Sequence, residues 1–248
     1  MEVTDKAAEK ALEFDRIAEE VFAPIYPLIG RRLLELAGID RGRCLDIGCG
    51  GGHLGLALAD CFPGEIILLD SNPHAIACAN RRIANRRIAN GCIANGRIAG
   101  RGTGGRGITD RRPGGREDAG PGRIRTLVGD VHALPLAEGA VDLAVSRGAM
   151  WFWDKEKSLR EIWRVLSPGG VAIIGGGYGN FNLKENIFRE MSKRNGDSFW
   201  ERQRRITEGA SPEDYAPVLE GLGFGAHRVI HEESGDWLLF RKADKQER

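Results

Sequence analysis

Cys44-Leu45-Asp46-Ile47-Gly48-Cys49-Gly50-Gly51-Gly52-His53-Leu54-Gly55 reads as a short apolar run that closes on Asp-x-Gly-x-Gly-x-Gly. Glycine at every second position makes a turn with almost no side chains. A ligand can then lie against main-chain N–H groups, and only glycine tolerates both that approach and a positive φ. The acid ahead of the turn argues against a bare phosphate cradle, because a carboxylate repels phosphate. It argues for a ligand that carries a positive amino group.

Working outward, strands and helices alternate. Residues 6 to 37 have helical periodicity (Ala11, Phe14, Ile17, Val21, then Leu33, Leu34, Leu36), which Pro24 and Pro27 break into at least two helices. Cys44 to Ile47 is a buried strand, and Leu54 to Phe62 a helix opened by the glycine turn and ended at Pro63-Gly64. Glu65 to Leu69 is a second strand, closed by Asp70, and Pro73 to about Asn90 another helix. Strands follow at Ile124 to Val128, ahead of Gly129-Asp130, and at Val141 to Ser146. Lys155 to Leu166 is an amphipathic helix, Ser167-Pro168-Gly169-Gly170 a turn, and Val171 to Ile174 a fifth strand. Helices fill Leu183 to Leu222, and His227 to His231 with Trp237 to Arg241 read as a closing hairpin around Glu233-Ser234-Gly235-Asp236.

This alternation implies an α/β fold, Rossmann-like and doubly wound: a mostly parallel seven-stranded sheet with N-terminal helices and a C-terminal antiparallel hairpin. In such sheets ligands sit beyond the carboxyl ends of the strands. The glycine turn, Asp70, Asp130 and Ser146 all fall at those ends, and their convergence says more than any single motif.

The 248 residues are read as one domain, residues 1–248, with a helical cap at 1–40 and a helical cover at 180–222. Five cysteines (Cys44, Cys49, Cys61, Cys78, Cys92) show no Cys-x-x-Cys pair and no zinc spacing, so no metal is expected. The odd count and the charged N-terminal stretch lead us to expect reduced thiols and a cytoplasmic location. No apolar run approaches the ~20 residues of a membrane span.

The formal charge of +1 hides an asymmetry. Arg81 to Arg125 contains twelve Arg and no Lys against Asp110, Glu117 and Asp118, a net of +9 that leaves −8 elsewhere. Arg81-Arg82-Ile83-Ala84-Asn85 recurs as Arg86-Arg87-Ile88-Ala89-Asn90, with degenerate copies through Gly100. A period of five matches neither an α-helix nor a solenoid. We read residues 91–122 as a flexible Gly/Arg-rich insertion grown by tandem duplication, which a surface loop accommodates at little entropic cost. Its charge could hold RNA, but no aromatic residues interleave to stack on bases, which argues against nucleic acid.

Four features together resemble the class I S-adenosylmethionine (SAM)-dependent methyltransferases, particularly their type 11 small-molecule group. They are Asp46-x-Gly48-x-Gly50-x-Gly52, Asp70 closing strand two, Gly129-Asp130 before His132-Ala133-Leu134-Pro135, and Arg164-Val165-Leu166-Ser167-Pro168-Gly169-Gly170. The resemblance implies SAM as cofactor, a small-molecule methyl acceptor, and a binding set of Asp46, Gly48, Gly50, Gly52, Asp70, Ser71, Asp130, Val131, Ser146 and Arg147. Asp46 suits the ammonium and the glycine backbone suits the methionine and ribose. Asp70 can accept from the two ribose hydroxyls. Asp130 can accept from the adenine amine with the Val131 N–H facing a ring nitrogen, and Ser146 and Arg147 belong near the transferred methyl.

Other residues divide between site and scaffold. Trp151, Phe152 and Trp153 after strand four either face a cationic group or pack the core. Tyr26, Tyr178 and His53 are weaker candidates, and no catalytic residue is named. His132, His227 and His231 form no ligand spacing. Gly50-Gly51-Gly52-His53-Leu54-Gly55 also satisfies Gly-x-Gly-x-x-Gly, so a nicotinamide-dependent oxidoreductase is one rival, and a methyltransferase-like RNA-binding protein is another. The acceptor and the oligomeric state are not legible in the sequence.

Overall fold

The computed structural model describes residues 2–96, 124–196, 198–224 and 226–244. Seven strands form one sheet: β1 (Arg43–Ile47), β2 (Glu65–Asp70), β3 (Ile124–Val128), β4 (Val141–Arg147), β5 (Leu166–Gly177), β6 (His227–Glu232) and β7 (Gly235–Arg241). Their order is β3-β2-β1-β4-β5-β7-β6. The first five are parallel, and β7 is antiparallel to β5 and β6. The order reverses between β1 and β4, which is the switch point where such sheets open a crevice.

Helices cover both faces: α1 (Glu2–Ile17), α2 (Tyr26–Ala37), α3 (His53–Ala59), α4 (Pro73–Gly96), α5 (Lys155–Val165), α6 (Phe181–Asn195), α7 (Phe199–Thr207) and α8 (Pro212–Gly221). Alternation along the strands splits the core in two. Cys44, Leu68, Leu143, Val145 and Ile173 pack on the face beneath α2 and α3. Leu45, Ile47, Ala144, Ile174 and Tyr215 pack on the other, with α5 and α8. The interiors of β1, β2, β4 and β5 are buried on both sides, as central parallel strands require, while the edge strands β3 and β6 are only partly covered.

Local chemistry sets the ends. Pro24 and Pro27 do interrupt the N-terminal helix, but as a π-turn (Ala18–Phe22) and a 3₁₀ turn (Ala23–Ile25) that lead straight into α2. Asp154 caps α5 by accepting from Lys157 N at 3.0 Å, and Asn180 caps α6 through Leu183 N at 2.9 Å.

Two expectations need correction. Ser167-Pro168-Gly169-Gly170 is not a turn ahead of a short strand; it is a bulge inside the longer β5. Val141 pairs with Leu166 and Leu143 with Val171, so four residues stand opposite Asp142 alone. The helix that carries the first two copies of the repeat also runs further than expected: α4 continues to Gly96, past the expected end near Asn90 and into the first residues of the expected insertion. Ala and Arg are strong helix formers and favour the helix over the first two copies, at residues 81–90, despite the mismatched period. Arg82 and Arg86 stand four apart and so share a helix face. They reach Gly51 O (2.5 Å) and Leu56 O (2.8 Å), joining α4 to the glycine turn and α3. Of the expected insertion, residues 97–122 lie outside the described residues.

At the amino ends of the strands the charged side chains pair with one another and with the backbone. Asp142 accepts from Arg43 N and Ser167 Oγ, both at 2.8 Å. Glu65 accepts from Arg43 Nε at 2.7 Å and Arg125 Nε at 2.6 Å. Burial raises the Glu65 carboxyl, but these two arginines more than offset it and hold it below its ordinary value.

Candidate functional site

At the carboxyl ends the polar groups are not all paired. The glycine turn follows β1 and is tied to β2 through Gly48 N and Cys49 N, which donate to Leu69 O at 2.8 and 3.0 Å. Gly48 and Gly50 have φ of +70° and +53°. A Cβ on Gly48 would strike the Ala149 side chain, whereas one on Gly50 would meet nothing within 4 Å. The turn is therefore packed on one side and open on the other.

Asp46 lies beside it, 2% exposed. Its Oδ2 has no hydrogen-bond partner among the described residues. Burial pushes its carboxyl up to about 7; the Gly55 backbone N–H opposes this and the neighbouring Asp70 charge adds to it. Such a group calls for a positive partner, since burying an unpaired carboxylate is costly.

Asp70 closes β2 with both oxygens engaged: Oδ2 accepts from Gly50 N at 2.9 Å and Oδ1 from Asn72 N at 2.8 Å. It shapes the glycine turn as well as facing the crevice, and each oxygen keeps a further lone pair. Ser71 is exposed and makes no hydrogen bond among the described residues.

Asp130, after β3, is held by His132. Oδ1 accepts from His132 N (2.9 Å) and lies 2.7 Å from Nδ1. His132 Nε2 accepts from Asp154 N at 2.9 Å, so the ring proton sits on Nδ1 and is donated to Asp130. These contacts, the backbone N–H first, keep the Asp130 carboxyl below its ordinary value. The side chain is 61% exposed, and among the described residues Oδ2 is unengaged. Val131 next to it is buried.

Ser146 and Arg147 end β4 and diverge. Asp46 pairs with Val145, and Ser146 pairs with Ile174. Alternation therefore puts Ser146 on the Ile47 and Ile174 face, opposite Asp46. Its Oγ is fully buried without a partner. Arg147 returns to the Val145 face. Its Nε donates to Gly177 O at 3.1 Å, and its guanidinium lies over the rings of Phe22 (4.8 Å) and Tyr178 (5.5 Å).

Two family models, each described as a methyltransferase domain, match residues 40–99 and 110–174. A solved structure from Methanococcus maripaludis, provisionally assigned as an S-adenosyl-L-methionine-dependent methyltransferase, is 30% identical with a TM-score of 0.77, covering 97% of this chain and 95% of that one. The chain belongs to the class I SAM-dependent methyltransferases. SAM is its cofactor, and the nicotinamide reading is set aside. A demethylmenaquinone methyltransferase of Thermus thermophilus is 29% identical over 148 residues, 58% of this chain and 51% of that protein. An uncharacterised Streptomyces fradiae transposon protein is 30% identical over 134 residues, 53% of this chain and 29% of its own length. This methyltransferase thus spans about half or less of the curated relatives it matches.

The residues present fit SAM. The orphaned Asp46 carboxylate suits an ammonium, the open side of Gly50 suits close contact, and Asp70 keeps lone pairs for a diol.

The structure adds residues that spacing alone did not link. Asp15 of α1 receives Arg82 Nη1 at 2.9 Å and lies 3.1 Å from His53 Nε2. Burial raises Asp15, but Arg82 and His53 together pull it below its ordinary value. Burial and Arg82 lower His53, against Asp15. Tyr26 stacks on His53, with centroids 5.2 Å apart at 18°. Burial raises its hydroxyl, and Arg147, Asp46, Arg82 and Asp15 all act on it. The N-terminal helices are therefore joined to the glycine turn.

The aromatic run splits. Trp151 and Trp153 pack against the core on the α5 and α8 face, while Phe152 is 69% exposed. His231 comes together with Glu213 and Asp236, their ligand atoms within 4.8 Å, a grouping that sequence spacing did not show. Both carboxylates lie against His231 Nδ1 at the surface, between α8 and the hairpin, at 3.4 and 3.1 Å.

Proposed function

We propose that this methyltransferase moves a methyl group from SAM to a small-molecule acceptor; the unpartnered, buried Asp46 Oδ2 beside the glycine turn is the observation that carries it. Bound SAM supplies a methyl carbon on a sulfonium, already activated toward in-line attack. What remains for the chain is proximity and orientation. Asp46 holds the ammonium and the Gly48, Gly50 and Gly52 backbone lies along the methionine and ribose. Asp70, with Ser71, takes the ribose hydroxyls, and Asp130 with the Val131 N–H takes the adenine edge. Ser146 supports β4 from the far face, and Arg147 lines the methyl side.

Residues 1–40 and 180–222 cover the acceptor and keep water out. The Asp15–Arg82–His53 contacts support this, because they bring α1 against the glycine turn. No helix among the described residues is long and apolar enough to cross a membrane.

The experiment supplies labelled SAM and a small-molecule metabolite pool, demethylmenaquinone analogues included, and identifies the methylated product by mass spectrometry. A SAM-binding protein that labels no small molecule would end this reading. Removing residues 1–30 should abolish turnover, and unchanged turnover would remove the cap from the proposal. Deleting residues 91–122 should leave SAM affinity intact by calorimetry.

A further inference from the structure

Arg147 is a half-buried cation without a counter-charge. Among the described residues no carboxylate lies within 4 Å of its guanidinium, and its hydrogen bond is Nε to Gly177 O. Phe22 and Tyr178 stack against it, at 4.8 and 5.5 Å to their centroids. The rings and the Nε bond fix the plane of the fork, while Nη1 and Nη2 donate to nothing described. A guanidinium held this way is prepared for a planar, bidentate oxyanion. Leaving it unpaired and partly desolvated is costly unless something arrives to pair it.

Its place in the sheet says which ligand that is. The glycine turn, Asp46 and Asp70 gather on β1 and β2. Arg147 ends β4 on the side toward β5, pairs there with Gly175, and reaches on to Gly177. Phe22 comes from the N-terminal turn before α2, within the segment proposed to cover the acceptor, and Tyr178 follows β5 just ahead of the second such segment. We infer that Arg147, boxed by Phe22 and Tyr178, binds an oxyanion, a carboxylate or phosphate, carried by the methyl acceptor.

This rests on the reading that the chain methylates a small molecule, and it names that molecule's class. The oxyanion is the handle and not the nucleophile, because pairing with the guanidinium stabilises its charge and so lowers its nucleophilicity. The methyl goes to another atom of the acceptor, so the product keeps its negative charge.

The test supplies [methyl-³H]SAM and a low-molecular-weight metabolite extract to the full chain, and separates labelled products on an anion exchanger. Phosphatase treatment distinguishes the two sources: a phosphate-bearing product loses retention and a carboxylate does not. The wild-type product should be retained. Arg147→Gln should lower transfer at least about tenfold, the scale of a lost charge-assisted hydrogen bond, with SAM affinity by calorimetry changed less than about threefold. Arg147→Lys keeps the charge, guards against a misfolded Gln variant, and should recover part of the transfer as extract concentration rises. A labelled product that passes through unretained overturns the inference while leaving methyl transfer standing. So does a loss of SAM affinity matching the loss of transfer, because the fork would then belong to the cofactor. SAM binding with no labelled small molecule overturns both readings together.

Discussion

The two ends of one sheet treat their polar residues in opposite ways. At the amino ends, Asp142, Glu65, Arg43, Arg125 and Ser167 form a closed set in which each acid has two donors. At the carboxyl ends, among the described residues, Asp46 Oδ2 and Ser146 Oγ have no partner and Arg147 has no counter-charge. The same backbone supports both, so the difference is not one of fold. Folding selects for satisfied buried groups, and those left unsatisfied indicate where another molecule is expected. The carboxyl end is also where α3 begins and the strand order reverses.

The largest effect should come from Asp46→Asn. It removes the buried charge meant for the ammonium and should weaken SAM binding by about 100-fold or more by calorimetry, on the roughly 3 kcal/mol scale of breaking a buried pair. Unchanged affinity would erase the contrast between the two ends.

The next effect is pH dependence. Asp46 titrates near 7 in the folded chain against an ordinary 3.8. Between those values the folded state holds a proton that the unfolded chain has lost, so cofactor-free stability falls as pH rises through the window, by up to roughly 4 kcal/mol. SAM binding needs the ionised form, so below 7 affinity should drop about tenfold per pH unit, with proton release on binding. Asp46→Asn should flatten that profile and raise the cofactor-free Tm at pH 8. Calorimetry in buffers of different ionisation enthalpy checks the proton, and a flat wild-type profile between pH 6 and 8 would refute the assignment.

Asp70→Ala comes third. It strips acceptors from Gly50 N and Asn72 N and should cost about tenfold in SAM affinity, with about 1–3 kcal/mol of stability in urea melts. The smallest effect belongs to the other end. Glu65→Gln loosens Arg43 and Arg125, but these partly exposed pairs are worth only about 0.5–1 kcal/mol. SAM affinity should not change. If it fell, the two ends would be coupled and the comparison would need restating.

Much of the candidate site was legible in the sequence because its signals are local. Asp46, the glycines and Asp70 are spaced within one strand–turn–helix–strand unit, where backbone conformation depends on near neighbours. The bulge in β5 was missed because it depends on strand pairing with Asp142, and the end of α4 was set too early, near Asn90, because Gly91 reads as a helix stop. Ser146 was grouped with Asp46 by position along the chain, and only the register separates their faces.

By itself the sequence determined the order of strands and helices, the bare turn, and the carboxylates that close β1 and β2. Each follows from steric and hydrogen-bonding rules that act over a few residues. Tertiary structure alone decided which groups stay unpaired. Asp15 meets Arg82 across 67 positions of chain, and Arg147 meets Phe22 between different elements. Whether a buried charge finds a partner depends on what packing brings within a few ångströms, and no spacing along the chain encodes that distance.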